Sequence, residues 1–285
     1  MKRLKIVINK LSGNGEKAYD KIILDKLKKR FPDEEYEVTK VILIADEKDT
    51  FELDECDAVA VCGGDGTLSN ALNIASRTGI DVLYFPYGTL NEFSGHMKKQ
   101  GSDLIISEIG KVDSRQFVYV FASGSFTPIG YSTSNKSKKR FKWLAYIFKV
   151  FKEYKVYDMK AKLTADGKTD EGVYSLIMCL DSARCFGFRF NGLYKFNDGL
   201  FHLLTIKSPK GHFRKFKIFF PLFRAFFIGF KKEYCSKNMT FKAVRHLEVQ
   251  LDKNYPFCLD GEKYYPGERF IVSVQKSPSK IKVIP

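Results

Sequence analysis

The stretch VCGGDGTLSNALNIA, residues 61–75, decides how the first half of this sequence folds. An apolar run ends in Gly63-Gly64-Asp65-Gly66-Thr67. Apolar residues then recur at the i, i+3, i+4, i+7 spacing of a core-facing helix, namely at Leu68, Ala71, Leu72 and Ala75. Glycines let backbone N–H groups approach phosphate oxygens, and a helix N-terminus adds partial positive charge. This order of strand, glycine loop and helix predicts a phosphate site, the alternative being a tight turn without a ligand.

Asp65 is the one acidic side chain in this loop. A carboxylate beside phosphates is repelled unless a cation lies between them, and Mg²⁺ is typically held by one or two carboxylates together with phosphates and waters. The loop therefore predicts Mg²⁺ as well as a polyphosphate. It has neither the GxxxxGK(S/T) pattern of P-loop proteins nor the GxGxxG pattern of dinucleotide-binding folds, which disfavours both.

The first ~110 residues alternate strand and helix patterns, as βαβ units require. The strand patterns are KIVIN, EVTKVI, DAVAVC and DVLYFP, and a helix is predicted over residues 16–30. We expect an α/β domain with a mostly parallel sheet over residues 1–113. Two more loops follow strands, at residues 9–15 and 87–91, and should reach the same sheet edge as the glycine loop, where ligands bind in such folds.

Short strands dominate from residue 114 onward, and they predict a C-terminal antiparallel β-sandwich over residues 114–285. Ala165-Asp166-Gly167-Lys168 is typical of a hairpin turn. A helical insert is predicted where apolar residues recur with a period of 3.6, at Phe141, Leu144, Ala145, Phe148 and Phe151. The last residues, KIKVIP, are expected to return and pack on the first domain.

Composition restricts the kind of partner. The formal net charge is +15, which favours anionic partners. The six cysteines form no CxxC pair and are interpreted as reduced thiols of a cytoplasmic protein. No apolar run reaches the ~18 residues of a membrane-spanning helix, and MKRLKIVINK is interpreted as a first strand. No nucleic-acid-binding signature is present, so no nucleic-acid partner is expected.

An ordered series of motifs resembles the diacylglycerol kinase catalytic-domain family, with soluble bacterial lipid kinases as the nearest members. The series is NKLSGNG, GGDGT, PYGTLNEF, NDGLF and LDGE, and the resemblance also includes the segment from Tyr131 to Phe151. Lys10 stands where the family has proline, and Glu92 where aspartate is usual. NAD kinases share GGDGT, so that motif alone does not separate the two groups.

The resemblance implies ATP as phosphate donor, a lipid hydroxyl as acceptor in the cleft between two domains, and a role in phospholipid metabolism. The positions that would line the nucleotide site are Asn9, Lys10, Leu11, Ser12, Gly13, Thr39, Gly63, Gly64, Asp65, Gly66, Thr67, Leu68, Ser69, Thr89 and Asn91. Asp65 would organise the metal and phosphates.

Three acidic residues in the second half are candidate site residues, and the roles of Asp260 and Asp198 come from the same resemblance. Phosphoryl transfer to an alcohol needs a group that accepts the hydroxyl proton, and Asp260 of LDGE is the candidate base. Glu262, on the same side if the strand continues, would support Mg²⁺ or orient Asp260; the alternative is a polar hairpin turn. A structural Mg²⁺ is implied at Asp198, with the backbone of Lys195 and Leu200; there too a simple turn is the alternative.

Residues 207–232 interleave phenylalanine with lysine and arginine and contain no acidic residue. One interpretation is a surface that meets an anionic membrane peripherally. The other is a helix that packs its phenylalanines inside the domain. A second basic cluster precedes the predicted helical insert, at Lys136, Lys138, Lys139, Arg140 and Lys142. Oligomeric state stays open, with a homodimer as one option.

The function predicted from these features is an ATP-dependent lipid kinase that is cytoplasmic and peripherally membrane-associated. Two alternatives remain at this point. One is an NAD kinase-like enzyme with a soluble acceptor. The other is a non-catalytic protein that senses a lipid or nucleotide with the same fold, which the departures at Lys10 and Glu92 leave open.

Overall fold

The computed structural model describes residues 1–46, 48–88, 91–95, 105–125, 155–185 and 187–284. These residues fall into two compact units. Of the described residues, the first unit contains 1–107 and 276–284, and the second contains those from 108 to 275. The last strand of the chain therefore ends in the first unit.

Helices are few among the described residues: α1 is Asp20–Arg30, α2 is Asp65–Ala75, α3 is Glu92–Gly95 and α4 is Arg214–Phe223. A 3₁₀ turn over Gly15–Lys17 precedes α1, which therefore begins later than the sequence predicts. A π-helical turn over Arg224–Ile228 continues α4. The apolar positions predicted for α2 are fully buried, so its periodicity is confirmed.

The first unit is built on a parallel sheet in the order β2-β1-β3-β4-β18. The strands are β1 Lys2–Asn9, β2 Tyr36–Ile44, β3 Ala58–Gly63, β4 Asp81–Pro86 and, at the edge, the end of β18 Arg269–Val283. Every residue of β3 is buried, as expected for a central parallel strand with a continuous apolar sequence. The predicted parallel N-terminal sheet is confirmed.

The Glu34 carboxylate fixes three strands of this sheet at their ends. It accepts hydrogen bonds from Lys2 Nζ at 2.7 Å, Tyr36 Oη at 2.6 Å and Lys282 Nζ at 3.2 Å. The Lys2 hydrogen bond, followed by those of Tyr36 and Lys282, lowers the pKa of Glu34 to about 2. The last strand is thereby attached to the first unit by side chains as well as by its backbone.

The second unit consists of short strands whose described pairings are antiparallel. They are β5 Ile105–Val112, β6 Arg115–Phe117, β7 Val120–Gly124, β8 Met159–Ala165, β9 Lys168–Leu180, β10 Arg184–Cys185, β11 Phe188–Arg189, β12 Phe201–Lys207, β13 Tyr234–Cys235, β14 Met239–Val244, β15 His246–Leu251, β16 Phe257–Leu259, β17 Glu262–Tyr264 and the start of β18. The largely antiparallel C-terminal region is confirmed, and its arrangement as a sandwich stays a prediction.

An aromatic cluster fills the core of the second unit near β7 and β16. The ring of Phe121 stacks on that of Phe257 at 4.5 Å, and both contact Phe270 edge to face. These rings are buried. The packing of these rings makes the β16–β17 turn, which carries Asp260, rigid.

Several predictions lie outside the described residues: the helical insert over residues 141–151, the basic cluster over residues 136–142, and Thr89. Within the described part, no helix is both long enough and apolar enough to cross a membrane.

Candidate active site

Three loops meet at the carboxyl edge of the parallel sheet, as the sequence predicts. They follow Asn9 at the end of β1, Gly63 at the end of β3 and Pro86 at the end of β4. Gly63 and Pro86 are direct neighbours in the ladder between β3 and β4. Because parallel strands end at a common edge, residues far apart in sequence become neighbours there.

Hydrogen bonds join the three loops to one another. Asn9 Nδ2 donates to Thr67 Oγ1 at 2.8 Å and so ties the first loop to the glycine loop. The backbone N–H of Asn14 donates to the carbonyl of Tyr87 at 2.8 Å, and the N–H of Tyr87 donates to the carbonyl of Gly63 at 2.9 Å. The loops therefore form one connected surface.

The glycines are required by close approach between loops. A Cβ on Gly88 would lie 2.5 Å from the Cα of Gly64 and 2.5 Å from Asn91 Oδ1. A Cβ on Gly63 would lie 2.6 Å from Thr67 Oγ1. Contacts this short are not tolerated, so the absence of side chains lets the backbones touch.

The N-terminus of α2 lies at this edge of the sheet. Gly64 is the N-cap residue, and no side chain caps the helix. The first N–H that follows the helical pattern is that of Leu68, which donates to the carbonyl of Gly64 at 3.1 Å. The N–H groups of Asp65, Gly66 and Thr67 precede that pattern and are the donors that an anion satisfies at a helix N-terminus.

Asp65 connects α2 to α3. Its buried carboxylate accepts the backbone N–H of Glu92 at 2.8 Å and that of Phe93 at 3.3 Å. Burial raises the pKa of Tyr84 well above its usual value, and the nearby charge of Asp65 adds to this shift. Asp65 thus holds the start of α3 against the glycine loop, a role that the sequence did not predict.

Asn91 closes the third loop on itself. Its Nδ2 donates to the carbonyls of Pro86 at 3.0 Å and Gly88 at 2.8 Å, and its backbone has a positive φ of 47°. Asparagine tolerates this left-handed conformation better than most residues. The predicted position Asn91 is therefore part of the loop surface.

The remaining residues that were predicted to bind the nucleotide lie in different parts of the first unit. Leu11, Ser12 and Gly13 follow β1 in the first loop, and the N–H of Leu11 donates to Asn9 Oδ1 at 2.9 Å. Lys10 directs its ammonium to the carbonyl of Ala18 at 3.0 Å and over the ring of Tyr19. Leu68 and Ser69 are buried in α2.

Thr39 is not brought to the loops. It lies at the bulge where the register of β1 and β2 shifts, and its hydroxyl donates to the carbonyl of Leu4 at 3.3 Å. Leu4 precedes Asn9 by five residues of extended strand, or about 16 Å.

Asp260 lies in the hairpin turn between β16 and β17, so the strand does not continue through residues 260–262 and the alternative of a turn is observed. The residue is 3% exposed. It accepts the backbone N–H groups of Val118 at 2.6 Å, Tyr119 at 3.0 Å and Val120 at 3.0 Å. Three donors fit an ionised carboxylate, which only accepts hydrogen bonds.

Glu262, by contrast, is exposed on the first residue of β17. Its carboxylate lies 3.9 Å from Arg115 Nη2, and this exposed ion pair contributes little energy. Since the turn separates Asp260 from Glu262, the strand alternation that predicted a common side does not apply.

Asp198 lies in a turn with an acidic neighbour that sequence analysis missed. Asp198 Oδ1 accepts the N–H of Leu200 at 3.1 Å, and Glu108 Oε2 accepts the N–H of Gly199 at 2.7 Å. Burial raises the pKa of Asp198, and the charge of Glu108 adds to it. Burial likewise raises the pKa of Asp181 well above its usual value, with Asp198 as the largest contributing charge.

The signal for Glu108 and Asp181 in the sequence is weak: each is an acidic residue within or directly after an apolar strand. Their approach to Asp198 depends on strand pairing across long separations. In the described part of the chain, no three His, Cys, Asp or Glu side chains are arranged closely enough to hold a metal ion.

Comparisons with known proteins point to one family. Residues 3–117 match the family model described as diacylglycerol kinase catalytic domain. A diacylglycerol kinase of Staphylococcus saprophyticus is 26% identical over 267 residues, covering 76% of this chain and 83% of that protein. A diacylglycerol kinase of Bacillus subtilis is 24% identical over 237 residues, covering 76% and 75%. A crystal structure of a diacylglycerol kinase from Bacillus anthracis has the same fold, with a TM-score of 0.64, 17% identity and coverage of 99% and 96%.

Proposed function

We propose that this chain, whose residues 3–117 match the diacylglycerol kinase catalytic-domain family, is an ATP-dependent lipid kinase. It transfers the γ-phosphoryl group of ATP to a hydroxyl of a diacylglycerol-like lipid. The observation that carries the proposal is the contact of Gly64 with Gly88, which brings two strand-end loops together beside the uncapped start of α2.

The chain's own residues would act on ATP mainly through backbone groups. The N–H groups of Asp65, Gly66 and Thr67 bind phosphate oxygens, and Asn9 fixes the hydroxyl of Thr67. Asp65 also keeps the third loop in place through the amides of Glu92 and Phe93. Catalysis of phosphoryl transfer rests largely on such positioning and charge stabilisation.

Mg²⁺ would be held by oxygen ligands at two proposed positions, the carboxylate of Asp65 and that of Asp198 with the carbonyls of Lys195 and Leu200. When bound with ATP, Mg²⁺ neutralises charge on the β- and γ-phosphate oxygens. The raised pKa of Asp198, which arises from burial and from Glu108, supports a cation there because positive charge would offset both effects.

Asp260 is the proposed acceptor of the hydroxyl proton. Its three amide partners hold the carboxylate in the ionised form, which is the form able to accept a proton. They also fix its orientation to the backbone of the β7 segment.

The reaction can be tested directly with the purified chain, labelled ATP and Mg²⁺. Acceptors are offered separately: dioleoylglycerol, a long-chain base and phosphatidylglycerol in mixed micelles, and NAD in solution. We expect label in phosphatidic acid. Label in NADP would instead identify the NAD kinase-like alternative, and ATP or lipid binding without transfer to any acceptor would identify a non-catalytic sensor.

Two single alanine variants, each at a glycine, test the proposed nucleotide-binding surface. Gly88→Ala places a Cβ 2.5 Å from Gly64 and should raise the KM for ATP at least about tenfold by separating the loops. Gly172→Ala is the matched control, because its Cβ would meet only the Tyr174 side chain at an ordinary 3.7 Å. Circular dichroism should show both variants folded; an unchanged KM in Gly88→Ala would contradict the assigned surface.

A further inference from the structure

Helix α4 has apolar residues on two opposite faces. Ile218 and Leu222 are buried against the second unit, and Ala225 and Phe226 extend that face into the π-helical turn. At ~100° per residue, five phenylalanines fall within an arc of about 100° on the opposite side. We call them the aromatic ridge: Phe216, Phe219, Phe220, Phe223 and Phe227.

The aromatic ridge is exposed and continuous. Phe216 is 64% exposed and Phe220 56% exposed. Successive rings contact one another along the helix, Phe216 with Phe220 at 5.1 Å and Phe223 with Phe227 at 5.0 Å between centroids. A contiguous apolar surface of this kind marks an interaction site, whereas single exposed apolar residues are ordinary.

The charge around the aromatic ridge has one sign. No acidic residue occurs from Gly199 to Lys232. Three of the cations in this stretch have internal partners. Lys207 pairs with Asp170 and Arg214 with Asp158, and Arg224 lies over the rings of Phe230 and Tyr234.

Four exposed lysines remain available to an anionic partner: Lys210, Lys217, Lys231 and Lys232. In the part of the chain that the structure describes, none of the four has a carboxylate within ion-pair distance. Lys217 lies at the border of the ridge and donates to the carbonyl of Lys210 at 3.0 Å. The positive charge therefore lies beside the apolar surface.

We propose that the aromatic ridge is the surface by which this protein docks on an anionic lipid bilayer, where it meets its lipid substrate. The identity of that substrate rests on the proposed function; the docking surface does not. Phenylalanines entering the interface while lysines contact headgroups is the pattern of a helix that lies in the membrane plane.

A second copy of the chain fits this surface less well. In an isologous contact the same patch faces itself, so the lysines around one ridge would face those around the other. The segment offers no carboxylate to compensate them. An anionic bilayer supplies both the apolar phase and the opposite charge.

Vesicle sedimentation tests the docking surface without any need for catalysis. The full chain is mixed with vesicles of phosphatidylcholine alone or of phosphatidylcholine with phosphatidylglycerol. We expect binding to the anionic vesicles that weakens as salt rises. Phe216→Ser with Phe220→Ser should reduce the partition coefficient at least about tenfold. Tyr265→Ser, an exposed aromatic residue outside α4, should leave binding unchanged.

Two double lysine variants with the same net charge distinguish the effect of the lysines beside the ridge from the effect of net charge. Lys210→Gln with Lys217→Gln should weaken binding to the anionic vesicles severalfold. The control is Lys160→Gln with Lys162→Gln, at two exposed lysines on β8. It lowers the net charge equally and should leave vesicle binding unchanged. Equal weakening by both pairs would overturn the proposal, because it would show a nonspecific effect of charge.

Three further outcomes decide the matter. Vesicle binding that persists in the double phenylalanine variant overturns the proposal. The proposal is also overturned if analytical ultracentrifugation shows that the parent protein is a dimer and the same variant a monomer, while the parent protein does not bind vesicles. Docking without phosphorylation of any lipid would refute the proposed function and leave the docking surface standing.

Discussion

Two Asp-Gly turns in the second unit have nearly the same local geometry and very different surroundings. Asp166-Gly167 joins β8 to β9, and Asp260-Gly261 joins β16 to β17. Their backbones have positive φ values of 48° and 78° in the first turn and 49° and 98° in the second. Paired residues flank each turn directly, Ala165 with Lys168 in the first and Leu259 with Glu262 in the second.

The aspartates of both turns also bind backbone amides of another segment. Asp166 accepts the N–H groups of Arg245 and His246, the latter at 2.9 Å. Asp260 accepts three such groups, from residues 118–120. The difference is exposure: Asp166 is in contact with solvent, whereas Asp260 is buried beside the aromatic core. Water can therefore take the place of the Asp166 carboxylate as acceptor for the amides, whereas it cannot take the place of the buried Asp260 carboxylate.

The largest effect should come from removing the charge of the buried turn. Asp260→Asn is expected to lower kcat by about 10²–10⁴-fold, because an amide cannot accept the hydroxyl proton. Asp166→Asn should leave kcat unchanged. Steady-state assays with dioleoylglycerol and separate ATP-binding measurements check this; retained turnover in Asp260→Asn would remove Asp260 from the mechanism.

Stability should separate the two turns as well. In Asp260→Asn one oxygen becomes an NH₂ group facing backbone donors, and we expect a loss of about 2–3 kcal/mol in the free energy of unfolding. Asp166→Asn should lose less than about 1 kcal/mol, since water can satisfy the amides. Urea denaturation measures both. Equal losses would show that burial is not what distinguishes the turns, and the stability result also tells whether lost activity reflects lost structure.

Substituting the glycines of the two turns should give a smaller difference in stability than substituting the aspartates. Alanine at Gly261 or Gly167 must adopt a positive φ, at a cost of about 1–2 kcal/mol. We expect the larger cost at Gly261, whose φ of 98° lies farther from the left-handed minimum than the 78° of Gly167. Only Gly261→Ala should also lower kcat, because it would displace Asp260. The same kcat loss in Gly167→Ala would point to a general loss of folding.

The residue after each turn should matter least. Glu262→Gln is expected to change the free energy of unfolding by less than about 0.5 kcal/mol, because its ion pair with Arg115 is exposed and 3.9 Å long. Lys168→Gln is the control at the matching position. We expect kcat to be unchanged in both. A tenfold fall in Glu262→Gln would restore the catalytic role that the LDGE motif suggests.

The features that sequence analysis predicted well are local ones. The buried face of α2, the glycine loop and the Asp166-Gly167 turn depend on residues within one or two turns of each other. Asp260 illustrates what is not local, since one of its amide partners lies 140 residues away. Thr39 was assigned to the nucleotide site from its position in a strand, yet strand register places it near Leu4.

The aromatic stretch shows a different limit. Phenylalanines occur on both faces of α4 and its π-helical continuation, so the sequence left membrane contact and internal packing equally open. The structure divides them, burying Phe226 and exposing Phe216 and Phe220. Which face becomes internal is fixed by the strands it packs on, and that information is not in the periodicity.

The return of β18 to the first unit has a consequence for synthesis. When a ribosome has made residues 1–107, β4 lacks the neighbour that Ile281–Val283 later provides. An unpaired strand edge of this kind readily recruits other chains. Until residues 276–284 have emerged, the nascent protein keeps this edge of β4 open to pairing with a strand of another chain.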